Sequence, residues 1–319
     1  MKVLITGGAG FIGTALTKKL LGEGMDIRVL DMWPSTVPGV ESFVGSILDR
    51  NAVMNAVDSC DIVVHLAAMI GVHRTDTQPL ECMEVNLQGA VCVLDACIKG
   101  QVKKIVFSSS SEVYGDSKVA SINESHPLMP QSIYAISKIA AEGYLRAYSE
   151  KYGIDYSIVR FFNVYGTNQV AEFVVPRFVK SAIDGVPLTV YGEGNQVRCF
   201  CYMDDAAQGV FLAMTKDEAN GEVFNIGNDK EPITIKLLAE KIVAISSKEL
   251  EIKHIELSDS DRDPTREIFL RRPEITKAVN VLGYKPTIFL EEGLAKVFEH
   301  GHISESRFRP LDYYVNNGN

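Results

Sequence analysis

A tyrosine and a lysine four residues apart are the pair in this sequence best suited to chemistry. Tyr134 and Lys138 lie in the run SIYAISKIAAE, whose residues favour a helix, so both side chains project from one helix face. A free phenol has a pKa of about 10 and is a poor base at neutral pH. A lysine ammonium about 4 Å away, at an effective dielectric of about 20, favours the phenolate by about 4 kcal/mol, or roughly three pKa units. The pair can therefore remove a proton from a hydroxyl group, although such a pair alone is more often part of a helix surface.

A glycine-rich loop directly follows the first predicted strand. TGGAGFIG places Gly7, Gly10 and Gly13 before a helix, where glycine allows a tight turn and close approach of the backbone to a pyrophosphate. The amides and dipole of the helix N-terminus favour phosphate. Asp31 ends the second predicted strand, where an acid accepts hydrogen bonds from ribose hydroxyls and repels a 2′-phosphate. The pattern predicts NAD rather than NADP. The alternative interpretations are a purely structural turn for the glycine loop and a solvated strand-end acid for Asp31.

An alternation of predicted strands and helices positions these residues. Near-continuous apolar runs predict strands at 2–6, 26–31, 61–67, 103–109 and 156–161. Helical patterns lie between them, near 11–23, 50–57, 79–100 and 134–151. The order favours right-handed crossovers in a parallel sheet. We therefore predict an α/β fold, a Rossmann-type doubly wound parallel sheet with a smaller mixed α/β C-terminal substrate lobe.

The pattern loosens in the second half of the chain. Helices are predicted there at 173–184, 205–215, 235–246 and 291–299, with short strands around 187–191 and 223–226. We expect residues 1–165 to form the NAD-binding domain, with about 197–225 returning to it. The substrate lobe would then comprise 166–196 and 226–310, and 311–319 would be a tail.

Composition excludes several classes of function. The 319 residues are 46% hydrophobic and 23% charged, as in soluble globular proteins. A net charge of −9 gives no general attraction to nucleic acid or anionic membranes, so we expect neither as a partner. The six cysteines lie in apolar stretches without a CxxC pair, which favours reduced thiols over disulfides or a metal site. With no leader or membrane span apparent, we expect a cytoplasmic protein.

The motifs of the chain resemble, as a set, those of the extended short-chain dehydrogenases that act on nucleotide sugars. They are TGGAGFIG, HLAA (65–68), SSSSEVYGD (108–116), YAISK, RFFNVYG (160–166) and GEGNQVRCFCYMDD (192–205). The resemblance implies that Ser110 hydrogen-bonds the sugar 4-hydroxyl and that Tyr134 removes its proton. Hydride would pass from C4 to the nicotinamide, and Lys138 would also hold the nicotinamide ribose. Without the resemblance, the serine run would be interpreted as a polar strand end.

The same resemblance implies the residues of the two binding sites. The cofactor residues would be Gly7, Gly10, Phe11, Ile12, Gly13, Asp31, Ser46, Ile47, Leu66, Ala67, Ala68, Ser108, Tyr134, Lys138 and Phe161. Ser46 is a departure, because relatives usually carry there an Asp that meets the adenine amino group. The substrate pyrophosphate and base would be held by Asn163, Val175, Tyr191, Arg198 and Arg271. A guanidinium is well suited to bind phosphate oxygens. Besides Arg198, a second arginine is expected at the pyrophosphate, and Arg266 and Arg272 are alternatives to Arg271 for this role. Outside this pattern each arginine would be interpreted as a surface charge.

The resemblance leaves three fates for a 4-keto sugar: epimerisation, 4,6-dehydration and decarboxylation. Glu112 in SEVYG resembles dehydratases and decarboxylases, and LRRPEITKA resembles the arginine motif of the glucuronate decarboxylases. Ser111 replaces the Asp of many dehydratases, and MIGVHRT lacks the Ala-Ser-Pro-like run of those decarboxylases. The stretch from AAMIGVHRT to VLDAC is most similar to short bacterial and archaeal sugar 4-epimerases. We therefore predict an NAD-dependent 4-epimerase of a UDP-sugar.

The alternatives stay open at this point. A dehydratase or a UDP-glucuronate-type decarboxylase would use Glu112, which could instead cap the following turn. A simple alcohol dehydrogenase or a non-catalytic NAD-binding regulatory protein could use the same scaffold. The helices at 79–100 and 134–151 carry more apolar residues than one core needs, and family members pair these helices between subunits, so a homodimer is expected.

Overall fold

A large sheet of seven parallel strands forms the centre of the structure, a computed structural model that describes residues 1–117, 119–259, 268–301 and 303. The strands in chain order are β1 (Lys2–Thr6), β2 (Asp26–Asp31), β3 (Glu41–Val44), β4 (Ile62–His65), β5 (Lys104–Ser110), β6 (Asp155–Phe161), β7 (Val164–Tyr165), β8 (Leu188–Tyr191), β9 (Val197–Cys199), β10 (Cys201–Tyr202), β11 (Glu222–Ile226), β12 (Pro232–Thr234), β13 (Ile252–Ile255) and β14 (Leu270–Arg271). The α-helices are α1 (Phe11–Gly22), α2 (Arg50–Val57), α3 (Val72–Thr77), α4 (Pro79–Met83), α5 (Gly89–Lys99), α6 (Ile133–Tyr152), α7 (Val174–Asp184), α8 (Met203–Thr215), α9 (Ile235–Ser246) and α10 (Leu290–His300).

The order of the large sheet is β11-β6-β5-β4-β1-β2-β3. From β1 the chain goes first to β2 and β3 on one side and then to β4, β5 and β6 on the other. This reversal between β1 and β4 opens a crevice at the carboxyl ends of the strands, which is where sheets of this type bind ligands.

Two apolar layers cover the faces of this sheet. On one face, α1 packs against β1 and β2 and α8 packs against β5 and β6, with residues such as Leu16 and Val210 in the shared apolar cluster. On the other face, α2, α5 and α6 contribute residues such as Val93 and Leu145. The strands are buried on both sides, which explains why their sequences are almost entirely apolar. The predicted doubly wound parallel sheet is confirmed.

The remaining elements build a smaller layer beside the carboxyl edge of the sheet. The helices α7, α9 and α10 pack with β8 and β13 around a separate apolar cluster that includes Phe178 and Leu238. β9 pairs with β12 and β14, while β11 joins the large sheet beside β6. The domain boundaries stay a prediction, and the tail 311–319 and Arg266 lie outside the described residues.

The structure adds elements that the sequence patterns did not predict. β3 is a short edge strand with mostly exposed residues, so it lacks the apolar run of a central strand. The predicted helix at 79–100 continues from α4 to α5 through a π-helical turn, Glu84–Gln88, and α3 precedes it. Asn86 in that turn is buried. Its side-chain Oδ1 accepts a hydrogen bond from Met69 N, and its Nδ2 donates one to the Met69 carbonyl oxygen. Such π-helical turns often accompany functional sites.

All six cysteines are buried and unpaired, as the sequence predicted. Across the described ranges, the helices are too short or too polar to cross a membrane.

Candidate active site

One cleft of about 790 Å³ lies between the carboxyl edge of the large sheet and the smaller layer. Every residue that the sequence assigned to the catalytic, cofactor and substrate sites lines it, from Gly7 in the first loop to Arg271 in β14. The structure therefore brings all the predicted positions together. It also adds residues that sequence reasoning missed, namely Ser132, Arg177 and Gln196.

The glycine loop fits closely against neighbouring backbone. Gly7 has a positive φ of 73°, and a Cβ there would come within 2.7 Å of the Ala67 nitrogen. A Cβ on Gly13 would lie 2.1 Å from the Gly7 carbonyl oxygen. A side chain at either position would occupy the space where α1 begins. Only glycine therefore lets the helix and the loop approach each other this closely.

Asp31 is held in place at the end of β2. Its Oδ2 accepts a hydrogen bond from Ala9 N at 3.0 Å, and its Oδ1 accepts one from Trp33 N at 3.2 Å. Burial raises the pKa of this carboxyl, while the backbone hydrogen bonds from Trp33, Ala9 and other amides act in the opposite direction. The carboxylate thus faces the cleft beside the glycine loop, where ribose hydroxyls can donate to it.

Lys138 is buried at the bottom of the cleft, one turn beyond Tyr134 on α6. Its Nζ donates to the Ser108 carbonyl oxygen at 2.9 Å and lies 5.7 Å from the centroid of the Tyr134 ring. Burial lowers the pKa of Lys138 to about 8. Its ammonium is therefore fixed between the end of β5 and the tyrosine.

The Tyr134 phenol behaves differently from the sequence-based expectation. Its pKa is raised, first because burial disfavours the phenolate and second because the Glu112 carboxylate repels it. A hydrogen bond with Ser110 and the charge of Arg271 lower the pKa, but they do not outweigh burial. Burial dominates in this arrangement, so the expectation that Lys138 makes the phenol a usable base stays a prediction, and positive charge added to the cleft would lower the pKa of Tyr134.

A carboxylate and a guanidinium meet beside the tyrosine. Glu112 Oε1 lies 3.8 Å from Arg271 Nη1, with both side chains largely buried. Glu112 Oε2 accepts a hydrogen bond from Ser132 Oγ at 3.2 Å. Ser132 is the N-cap of α6, where its Oγ accepts from Ala135 N at 3.1 Å. The carboxylate therefore faces the cleft, and the serine before a helical run was the available sequence signal for Ser132.

The far end of the cleft combines an aromatic ring with arginines. Arg177 Nη1 donates to the Tyr191 hydroxyl at 2.7 Å, and its guanidinium carbon lies 4.4 Å from the centroid of that ring. Arg198 in β9 is buried along the same wall and donates to the Val197 carbonyl oxygen at 3.0 Å. Gln196 is also buried there, and its Oε1 has no hydrogen-bond partner among the described residues. This end can bind a planar base and anionic phosphates.

Comparison with known proteins places this geometry in a family. Residues 3–227 match the model of the NAD dependent epimerase/dehydratase family. The chain belongs to this family. It is therefore an enzyme of an NAD-dependent group, as the motif set predicted.

Members of the family with different reactions are similar to the chain. A UDP-N-acetyl-alpha-D-glucosaminuronate decarboxylase of Bacillus cytotoxicus is 33% identical, with 93% of this chain and 97% of the relative covered. A dTDP-D-glucose 4,6-dehydratase of Mus musculus is 32% identical, with 93% and 88% covered. The crystal structure of a UDP-glucose 4-epimerase from Thermotoga maritima with UDP-glucose has a TM-score of 0.88 and 31% identity, with 94% and 98% covered. The family is thus established, while its members divide among three reactions.

The close packing of the glycine loop leads to a test within a single helix. We expect Gly13→Ala to destabilise the protein by about 1 to 3 kcal/mol and to weaken NAD binding, because its Cβ would collide with the Gly7 carbonyl. Gly22→Ala at the other end of α1 meets nothing within 4 Å. That control should be neutral or gain up to about 1 kcal/mol. Urea unfolding and calorimetric NAD titration measure both effects, and equal behaviour of the two variants would contradict the close-packing argument.

Proposed function

We propose that the protein oxidises the 4-hydroxyl of a nucleotide sugar, with Tyr134 as the base and NAD held along the carboxyl edge of the sheet. Three features support a dinucleotide at this edge: the glycine loop against Ala67, the Asp31 carboxylate beside it, and the buried Lys138. Bound NAD supplies the hydride acceptor and, when oxidised, a positive charge that favours the Tyr134 phenolate. The residues present therefore fit the cofactor, and that charge is the one that the tyrosine needs.

The residues around the tyrosine define the proton path. Ser110 lies beside Tyr134 in the cleft, where it can orient the sugar hydroxyl. Tyr134 takes the hydroxyl proton as C4 becomes a ketone. Lys138 stays fixed by the Ser108 carbonyl, so its ammonium faces the same region throughout. Arg198, Arg177 and Tyr191 at the far end would hold the pyrophosphate and the base, and UDP is the nucleotide we propose.

The Glu112–Arg271 pair supports decarboxylation of a sugar 6-carboxylate as the fate of the ketone. A neutral 4-epimerisation needs a base, a hydroxyl and room for the ketone to turn, and it would leave Arg271 only the pyrophosphate to bind, the role that the sequence resemblance implied. A 6-carboxylate is an anion that Arg271 can bind while remaining beside Glu112. We therefore place decarboxylation ahead of the 4-epimerase that the sequence favoured.

The chemistry of that step balances with one proton from water, which Glu112 would take up, and no other reactant. Once C4 is a ketone, the carboxylate is β to it, so the C5–C6 bond can break and carbon dioxide leaves. The electron pair passes to the C4 oxygen, where Tyr134 and Ser110 can stabilise the enolate. A proton then adds at C5, and Glu112 is the candidate donor. Return of the hydride to C4 completes the reaction and restores the oxidised cofactor.

A UDP-sugar 4-epimerase is the second candidate. The TM-score of 0.88 to the Thermotoga maritima epimerase favours it, together with the similarity of the segment from Ala67 to Cys97. Dehydration is a third outcome that the same substrate panel can detect.

Two faces of the chain support a homodimer as a further part of the proposal. Leu80 on α4 is 85% exposed, and Ile136 and Tyr144 on α6 are also exposed. Burying such side chains between two copies would remove apolar surface from water.

The substrate panel decides between the fates of the ketone. We expect UDP-glucuronate or UDP-N-acetylglucosaminuronate in deuterated water to lose carbon dioxide and to gain deuterium at C5, as seen by mass spectrometry and NMR. UDP-glucose and UDP-N-acetylglucosamine serve as neutral controls. Turnover of the neutral sugars alone, with retained mass and no deuterium, would establish the epimerase instead.

Arg271 can be tested against its chain neighbour. We expect Arg271→Met to lower kcat/KM for the uronate by about 100-fold, because the substrate carboxylate would lose its buried counter-ion. Arg272→Met removes a guanidinium that does not line the cleft and should change kcat/KM by less than about threefold. Equal losses in the two variants would argue against carboxylate binding by Arg271.

The oxidation itself depends on Tyr134. Tyr134→Phe keeps the ring and removes the base, so we expect turnover of every accepted nucleotide sugar to fall by at least about 1000-fold while NAD stays bound. Full activity of this variant would contradict the proposed oxidation.

The dimer is tested by sedimentation at micromolar concentration. We expect the wild-type chain to be a dimer and Leu80→Glu to be a monomer, because a buried unpaired charge opposes association. Leu237→Glu changes another exposed leucine, on α9, and should remain dimeric. A monomeric wild-type protein would rule out this part of the proposal.

A further inference from the structure

A buried ion pair lies behind the residues that line the cleft. Glu142, one turn beyond Lys138 on α6, is fully buried. Arg160 on β6 binds it with two nitrogens: Nε donates to Oε1 at 2.9 Å and Nη2 donates to Oε2 at 2.6 Å. A buried carboxylate without a partner costs several kcal/mol. Buried pairs are nevertheless often no more stabilising than apolar residues of the same volume, so stability alone does not explain this pair.

Ser109 connects the pair to the end of β5. Its Oγ donates to Glu142 Oε1 at 2.7 Å, and the whole contact is buried. The carbonyl oxygen of the preceding residue, Ser108, accepts a hydrogen bond from the Lys138 ammonium, and the following residue, Ser110, lies beside Tyr134 in the cleft. The Ser109 hydroxyl therefore fixes β5 to α6 between the two serines that contact the tyrosine and lysine.

Arg160 extends the network to the turn that carries Glu112. Its Nη1 donates to the Tyr114 hydroxyl at 2.9 Å, and that hydroxyl donates to Asn225 Oδ1 at 2.8 Å. Tyr114 ends the 3₁₀ turn Ser111–Tyr114. Burial raises the pKa of Tyr114 to about 12, so the phenol keeps the proton that it donates to Asn225. One arginine thus links β6, β11 and the turn with the carboxylate on α6.

We propose that Glu142, Arg160 and Ser109 are positioning residues for the oxidation step. The network sets the distances among Tyr134, Lys138 and the serines of β5. Glu142 and Arg160 do not line the cleft, and Ser109, which does, has its hydroxyl directed to Glu142. Hydrogen bonds have narrow distance and angle limits, so they fix the elements more closely than apolar packing does. Proton transfer needs donor and acceptor within about 3.2 Å, and a displacement of about 1 Å can cost 100-fold in rate. The inference rests on the proposed oxidation by Tyr134.

Two buried serines provide a matched test. Ser109→Ala removes the hydrogen bond to Glu142, and Ser157→Ala removes hydrogen bonds to Ala213 and Ala219 from a buried serine of β6 that does not line the cleft. We expect both variants to lose a similar amount of stability, measured as similar downward shifts of the urea midpoint. Ser109→Ala should also lower kcat by about tenfold with KM within about twofold, while Ser157→Ala should keep kcat within about twofold. Equal kcat values for the two variants would overturn the proposal.

A double variant separates the positioning role of the Glu142–Arg160 pair from the cost of burying its charges. Glu142→Met with Arg160→Met replaces the pair by apolar side chains, which often preserves stability. We expect this variant to bind NAD with wild-type affinity in a calorimetric titration and to lose at least about tenfold in kcat without a matching change in KM. A folded double variant with wild-type kcat would overturn the proposal, and if the variant does not fold, the serine pair decides. Tyr134→Phe distinguishes failure of the proposed oxidation from failure of the positioning proposal. If Tyr134→Phe is inactive while Ser109→Ala and Ser157→Ala have equal kcat values, only the positioning proposal is wrong.

Discussion

The parallel direction of the seven strands is the constraint on which the rest of the structure depends. Because all the strands run the same way, their carboxyl ends lie at one edge, and the loops that follow them face one crevice. The glycine loop, Asp31 and the serine run each follow a different strand, yet they line the same cleft. Parallel strands require crossover helices, and one of these helices, α6, brings the tyrosine and lysine to the same edge.

The cleft contains charged groups whose burial costs free energy. Burial lowers the pKa of Lys138 and raises that of Tyr134, so it disfavours the charged form of both groups. The cofactor's positive charge and the Ser110 hydrogen bond shift the balance in the proposed mechanism. This coupling has a chemical advantage, because the base becomes effective only when the hydride acceptor is in place. Arg271 acts in the same direction, because its positive charge offsets the negative charge of the Glu112 carboxylate beside the tyrosine.

Much of the fold could be predicted because its signals are local. The central strands are continuous apolar runs, the glycine loop has a mechanism at its spacing, and YAISK lies on a good helix. β3 escaped prediction because an exposed edge strand needs no apolar run. The short strands β9, β12 and β14 escaped because they are stabilised by pairing with distant segments, which leaves little trace in any one of them.

The sequence alone determined the family and the cofactor, since these follow from motifs at fixed spacings, and its resemblance to the family implied many of the residues that line the cleft, although not Ser132, Arg177 or Gln196. Only the tertiary structure decided which charges meet. The contact between Glu112 and Arg271, the reversed pKa shift of Tyr134 and the pair of Glu142 with Arg160 join segments far apart in the chain. Burial and electrostatic pairing depend on three-dimensional distance, and local sequence patterns do not contain that distance.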